Sequence, residues 1–236
     1  MTGDPSPPRS RELLGGAAAV APLLFGVAPF GVVYGALALR SGIAPVAAMA
    51  MSSLVFAGSA QLVLAQLAGA GAPAVVMVAT VALVNLRHAL YSASVAPALA
   101  HLPRRWKALL AYLLTDEAYA AAIARLASRA GPGAHRHWFL LGAGITLWAS
   151  WQVSTAAGVL LGASLPASLQ LEFALPLTFI AIVVPMIRSR AALAAALVSA
   201  AVALAGADWP HNLGMLAAAI CGIAAGALLA ARGASR

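Results

Sequence analysis

Val84-Asn85-Leu86-Arg87-His88-Ala89-Leu90-Tyr91 lies deep inside an apolar run from about Pro73 to Ala100. An arginine in the middle of a lipid-embedded helix costs roughly 2.5–3.5 kcal/mol on insertion scales. Such a residue persists where it faces a protein interior, a wet cavity or a partner charge. The next apolar segment offers a partner in Thr115-Asp116-Glu117. Together these stretches predict a membrane helix bundle that buries a basic cluster against an acidic one.

Composition agrees with that reading. Of 236 residues, 63% are hydrophobic and only 8% charged, against about 25% charged in an ordinary soluble domain. The mean hydropathy is +0.94. So little polar surface cannot cover a core, so lipid must be the solvent. At about 20 residues per span the apolar runs allow about seven or eight helices. The expected architecture is all-α: one transmembrane transport domain over 12–232, with 1–11 as a disordered tail. The net charge of +8 does not point to nucleic acid, because the basic residues sit at the ends of apolar runs, where they anchor helices on the cytoplasmic side. Cys221 is the single cysteine, which excludes an intramolecular disulfide and a cysteine-based metal site. The pattern implies no metal and no cofactor.

Several segments carry breaking signals. The run from about Leu13 to Leu39 contains Pro22 and Pro29, and Pro29-Phe30-Gly31 is expected to kink or break the helix. The small-xxx-small pairs Gly31/Gly35, Gly158/Gly162 and Gly222/Gly226 invite close helix contact. The run from Ile43 to Gly69 is longer than a straight span needs and carries Ser52, Ser53, Gly58, Ser59 and Gln61 at its centre. Gln61 brings two donors and an acceptor to lipid depth and needs partners. On a regular helix Asn85 and His88 share one face and Arg87 and Tyr91 another; unwinding near Asn85 would let one cavity see all four. Asp116 and Glu117 are adjacent, so only one easily points at Arg87. An Asp116–Arg87 pair that merely locks two helices is the structural alternative. Trp148 and Trp151 read as packing and interface anchors. Basic gaps at 125–137, at 188–190 and at the C-terminus alternate with uncharged ones, but 104–107 and 125–137 are both basic and flank one segment. A broken or re-entrant segment one, three or four resolves that conflict.

Pro29-Phe30-Gly31 with Gly35, Phe56-Ala57-Gly58-Ser59-Ala60-Gln61, Asn85-Leu86-Arg87-His88 with Tyr91, and Thr115-Asp116-Glu117 occur in an order and spacing that resembles the AzlC family. The resemblance runs from about Leu14 to Arg190. The Asn-Leu-Arg-His and Thr-Asp-Glu motifs are its specific part. Where the family pattern has Leu-Asp-Phe, this chain has Leu171-Glu172-Phe173, which keeps an acid and lengthens its reach. The resemblance implies the large subunit of a branched-chain amino-acid exporter: a multi-pass inner-membrane permease of valine, leucine, isoleucine or methionine, working with a small hydrophobic AzlD-type subunit.

A site for such a zwitterion needs a cation or helix N-terminus for the carboxylate, an acid or carbonyls for the ammonium, and an apolar pocket. Arg87 can bind a carboxylate bidentately, and Asp116 can hold the ammonium or balance Arg87. Asn85, Gln61 and Ser59 can orient the ligand, and Phe30, Phe56 and Tyr91 can wall its side chain. Glu117 and His88 are the candidate proton-coupling groups. An intramembrane enzyme using Ser59 or His88 is the second class of function; Ala60 replaces the glycine that a Gly-x-Ser-Gly turn requires, which opposes it. A channel or scaffolding subunit with a purely structural polar cluster is the third.

Overall fold

The structure is a computed structural model that describes residues 7–127, 135–162, 187, 189–210 and 213–234. All regular structure among the described residues is helical. The chain packs as two compact units, one of residues 1–66 and 81–165 and the other of 67–80 and 166–236.

In the first unit, α1 (Arg9–Val20) passes through a 3-10 turn (Ala21–Leu23) into α2 (Leu24–Arg40). Helical structure thus begins inside the expected tail. The first turn is tied down by the Arg9 guanidinium, 5.8 Å above the Trp138 ring, and by an ion pair between Glu12 and Arg125. The interruption falls at Pro22 and not at Pro29, which α2 contains. Pro29 removes one bond, to the carbonyl of outward-facing Phe25 in the first turn of α2, and the helix tolerates that loss.

The long 43–69 run is two helices, α3 (Pro45–Leu54) and α4 (Gly58–Gly69). Between them Phe56 adopts a left-handed φ of 41°, a conformation that costs a non-glycine residue about 1–2 kcal/mol. It occupies the position after a helix end that glycine usually takes. By contrast α5 (Ala74–Leu99) stays helical through Asn85–Tyr91, so the unwinding suggested at Asn85 does not occur. Segment four is the broken one: α6 (Arg104–Tyr112) stops, Leu113–Thr115 turn, and α7 (Asp116–Ala127) begins. The Thr115 carbonyl accepts from Tyr119 N at 2.8 Å, which starts the α7 ladder. Acidic Asp116 and Glu117 then fall in its first turn, where the positive end of the helix dipole favours them.

The frame of this unit is α8 (Arg136–Gly162), against which α1, α2, α3, α6 and α7 pack. Its glycines let backbones touch. A Cβ on Gly35 of α2 would lie 2.7 Å from Val159 N and 2.9 Å from the Gly158 carbonyl carbon. One on Gly158 would lie 2.9 Å from Val32 Cα, and one on Gly162 2.9 Å from Ala36 Cα. Gly31/Gly35 and Gly158/Gly162 are two sides of one contact, the close approach expected of small-xxx-small pairs.

The second unit contains a helical pair, α9 (Arg190–Ala205) and α10 (Leu213–Ala234). Ser189 caps α9 by accepting from Ala192 N at 3.0 Å. Gly222 and Gly226 of α10 face Ser199 and Ala195, and the Ser199 hydroxyl donates to the Ala218 carbonyl at 3.0 Å. Leu171-Glu172-Phe173 lies outside the described residues. Three helical stretches are long and apolar enough to cross a membrane among the described residues: Arg9–Arg40, Ala74–Leu99 and Leu213–Arg232.

Candidate functional site

Arg87 stands at the midpoint of α5, thirteen residues after Ala74 and twelve before Leu99. Its Nη1 lies 2.6 Å from Asp116 Oδ2, and its Nη2 donates to the hydroxyl of Ser59. Asp116 is the first residue of α7, and Ser59 the second of α4. One guanidinium therefore joins the starts of two interrupted helices. Both side chains of the pair are about three-tenths exposed.

Polar capacity is left over here. Among the described residues, Arg87 Nε, Asp116 Oδ1 and Asn85 Oδ1 are buried without a hydrogen-bond partner. These are one donor and two acceptors on three residues expected at the site, and buried polar atoms rarely stay unpaired. The Asp116 carboxylate also lies within electrostatic reach of Tyr91 and His88. The Tyr91 ring stacks on Tyr119 at 4.5 Å and meets His88 edge-on at 6.2 Å. Glu117 is half-buried beside Asp116 and Thr115, within electrostatic reach of Arg87.

The residues expected to form one site do not all meet: with α5 a regular helix Asn85 is turned about 200° from Arg87, and most of the others fall into two groups. Ser59, Arg87, Asp116, Glu117, His88 and Tyr91 gather around the ion pair. Gln61 does not join them, because two residues on from Ser59 a helix has turned about 200°. It is fully buried on the other side of α4, where its Oε1 accepts from Trp151 Nε1 at 3.1 Å and its Nε2 has no partner among the described residues. Phe30 belongs to this second group, tilted against Trp151 at 6.1 Å, with Tyr34 stacked on the same indole at 6.2 Å. Phe56 is buried at the α3–α4 interruption with its ring 5.9 Å from that of Tyr112.

Sequence reasoning missed what α8 contributes. Trp148 and Trp151 are hydrogen-bond donors as well as packing residues: Trp148 Nε1 donates to the Tyr112 hydroxyl at 2.7 Å, as Trp151 does to Gln61. The amide of Gln152 donates to the Ser52 carbonyl at 3.0 Å and accepts from the Ser53 hydroxyl at 2.9 Å. The hydroxyls of Ser52 and Thr155 are 3.0 Å apart. The clue is the spacing of Trp148, Trp151, Gln152 and Thr155, which repeats at helical intervals within an otherwise apolar run.

Apolar helices long enough to span a bilayer, with an ion pair held inside the first unit, define a helical membrane protein. The chain belongs to the AzlC family: the family described as AzlC protein matches residues 22–165. It is similar to the inner membrane protein YgaZ of Escherichia coli strain K12, with 30% identity over 227 residues, 91% of this chain and 89% of that protein. It is equally 30% identical, over 210 residues, to an uncharacterized membrane protein of Archaeoglobus fulgidus, covering 85% of this chain and 88% of that one. No solved structure matches the chain.

Proposed function

We propose that this chain is the large subunit of a multi-pass inner-membrane exporter of hydrophobic amino acids, valine, leucine, isoleucine or methionine, acting with a small AzlD-type subunit and driven by proton exchange. The observation that carries this reading is the ion pair on Arg87 with its unused neighbours. A zwitterion can insert into such a pair. Its carboxylate replaces Asp116 on the guanidinium and gains Arg87 Nε as a further donor. Its ammonium takes the released Asp116 carboxylate, whose Oδ1 is otherwise without a partner. One ion pair becomes two, and no charge is left unpaired in a medium that penalises it. Tyr91 and Phe56 supply apolar wall, and Glu117 and His88, next to the pair in sequence, exchange protons when Asp116 changes partner. Among the described residues the Ser59 hydroxyl is engaged by a guanidinium and not by a base, which favours a transporter over a serine enzyme.

The closure of the pair at 2.6 Å also fits a second reading, an ion pair that only locks α5 to α7. Transport in proteoliposomes that contain the chain and its small subunit separates the two. Labelled leucine should be carried, with valine and methionine competing. Isopentylamine and 4-methylpentanoate, which each keep one charge of leucine, should compete about tenfold or more weakly, a loss of roughly 1.4 kcal/mol or more. Equal competition by either analogue would overturn the zwitterion site. Transport that survives the exchange Arg87→Asp with Asp116→Arg would support the lock.

A further inference from the structure

We propose that Tyr112 is a positioning residue that couples the two helix interruptions, holding Ser59 and Asp116 at a fixed separation across Arg87. The starting point is how α3 ends. A helix that stops leaves its last carbonyls without backbone donors, and the usual left-handed ending supplies donors from the next two residues. Here two of these carbonyls accept from side chains of other helices: Ser52 from the Gln152 amide at 3.0 Å, and Ser53 from the Tyr112 hydroxyl. Tyr112 is itself the last residue of α6, directly before the second interruption. Its hydroxyl accepts from Trp148 Nε1 at 2.7 Å, and its ring meets Phe56, the left-handed residue of the first interruption.

Both interruptions are thereby referred to one stripe of α8. Leu113, next after Tyr112, rests on Gly144, where a Cβ would come within 2.6 Å of Leu113 Cβ and 3.1 Å of its carbonyl oxygen. Trp148 lies one turn further on and holds Tyr112. Trp151 lies flat on Gly58 at the start of α4, where a Cβ would meet the indole at 2.8 Å. Gln152 finishes α3. Positions 144, 148, 151 and 152 fall on adjoining rows of one helix. Tyr112 touches both interruptions at once, so a shift of α7 that carries Asp116 reaches the α3–α4 interruption through Tyr112 as well as through the Arg87 guanidinium.

The coupling itself stands on the structure; its consequence for transport rests on the function proposed above, and the test separates the two. Spin labels at Gln66→Cys on α4 and Ala124→Cys on α7, both exposed positions, in a Cys221→Ala background, report the α4–α7 distance distribution in detergent by pulsed electron resonance. Tyr112→Phe removes only the hydroxyl and should broaden that distribution about twofold; Trp148→Phe, which removes the donor and keeps an aromatic ring, should broaden it to a lesser extent. An unchanged width in both variants would overturn the proposal, whether or not any amino acid is carried. In proteoliposomes Tyr112→Phe should raise the KM for leucine several-fold. A lower maximal rate at unchanged KM would show a residue that serves stability alone, and would overturn the positioning role.

Discussion

Arg87 has five N–H donors in a fixed fork, and Asp116 and Ser59 occupy only part of it. A different buried nitrogen behaves in the opposite way. His137 opens α8 ahead of its apolar run, with Nδ1 buried and, among the described residues, without a partner. Its ring meets Trp106 at 5.0 Å, His135 at 6.2 Å and His101 at 6.3 Å. Burial above all, then the neighbouring His101, His135 and Arg9, hold this imidazole below its ordinary value of 6.5. The unfolded chain then binds the proton more readily than the folded one. Stability is fully present above about pH 6.5 and is lost as pH falls through the folded-state value. The melting temperature, followed by tryptophan fluorescence, should therefore drop between about pH 8 and pH 5.5. His137→Phe keeps a ring among these aromatics and should flatten that drop; an equally steep fall in the variant would remove His137 as its source. The Arg87–Asp116 pairing is legible in the sequence because lipid makes a mid-helix charge so costly that a partner can be sought. His137 carries no such signal, since its environment depends on three chain segments meeting.

At the scale of elements, the existence of interrupted helices is legible and most of their positions are not. Pro29 attracts the reading of a break, yet α2 runs through it and the ladder tightens into a 3-10 stretch at Pro22. The clash of basic gaps leaves segments one, three and four as places for a break, and of these segment four has one at Thr115-Asp116-Glu117, which also makes a good helix start. The α3–α4 interruption has no proline, and its left-handed residue is a phenylalanine. Nothing local marks it; the donors that make it affordable lie on α6 and α8. Gln61 is misplaced for a related reason, since its side of α4 is fixed by where that helix restarts. Gly58 is the point at which this can be tested. Gly58→Ala pushes a methyl into the Trp151 indole, itself confined by Phe30 and Tyr34, and overpacking of this kind costs about 1–3 kcal/mol. The variant should melt earlier, and adding Trp151→Leu should recover part of the loss. A second change that only deepened it would show that Trp151 does not press on α4.

At the scale of the whole first unit, α7 is a strut held at both ends. Asp116 joins it to α5, and about two and a half turns later Arg125 joins it to Glu12 in the first turn of α1. Arg136 closes the same end by donating to the Leu126 carbonyl at 2.8 Å. The two partners of the α1–α7 pair differ in exposure: the Glu12 side chain is 2% exposed and that of Arg125 45%. The unit therefore responds unequally to losing one or the other. Arg125→Ala leaves a buried carboxylate without this partner, a loss of about 1–3 kcal/mol. Glu12→Gln leaves a guanidinium that water can reach and a neutral amide that can still accept from it, a loss of about 1 kcal/mol. Thermal melts should thus show Arg125→Ala several degrees below Glu12→Gln. The difference should shrink in the double variant, because removing the carboxylate removes the stranded charge. Equal losses from the two single changes, or a double variant whose losses simply add, would mean that α7 is held by packing on α8 and that the ion pair to α1 contributes little.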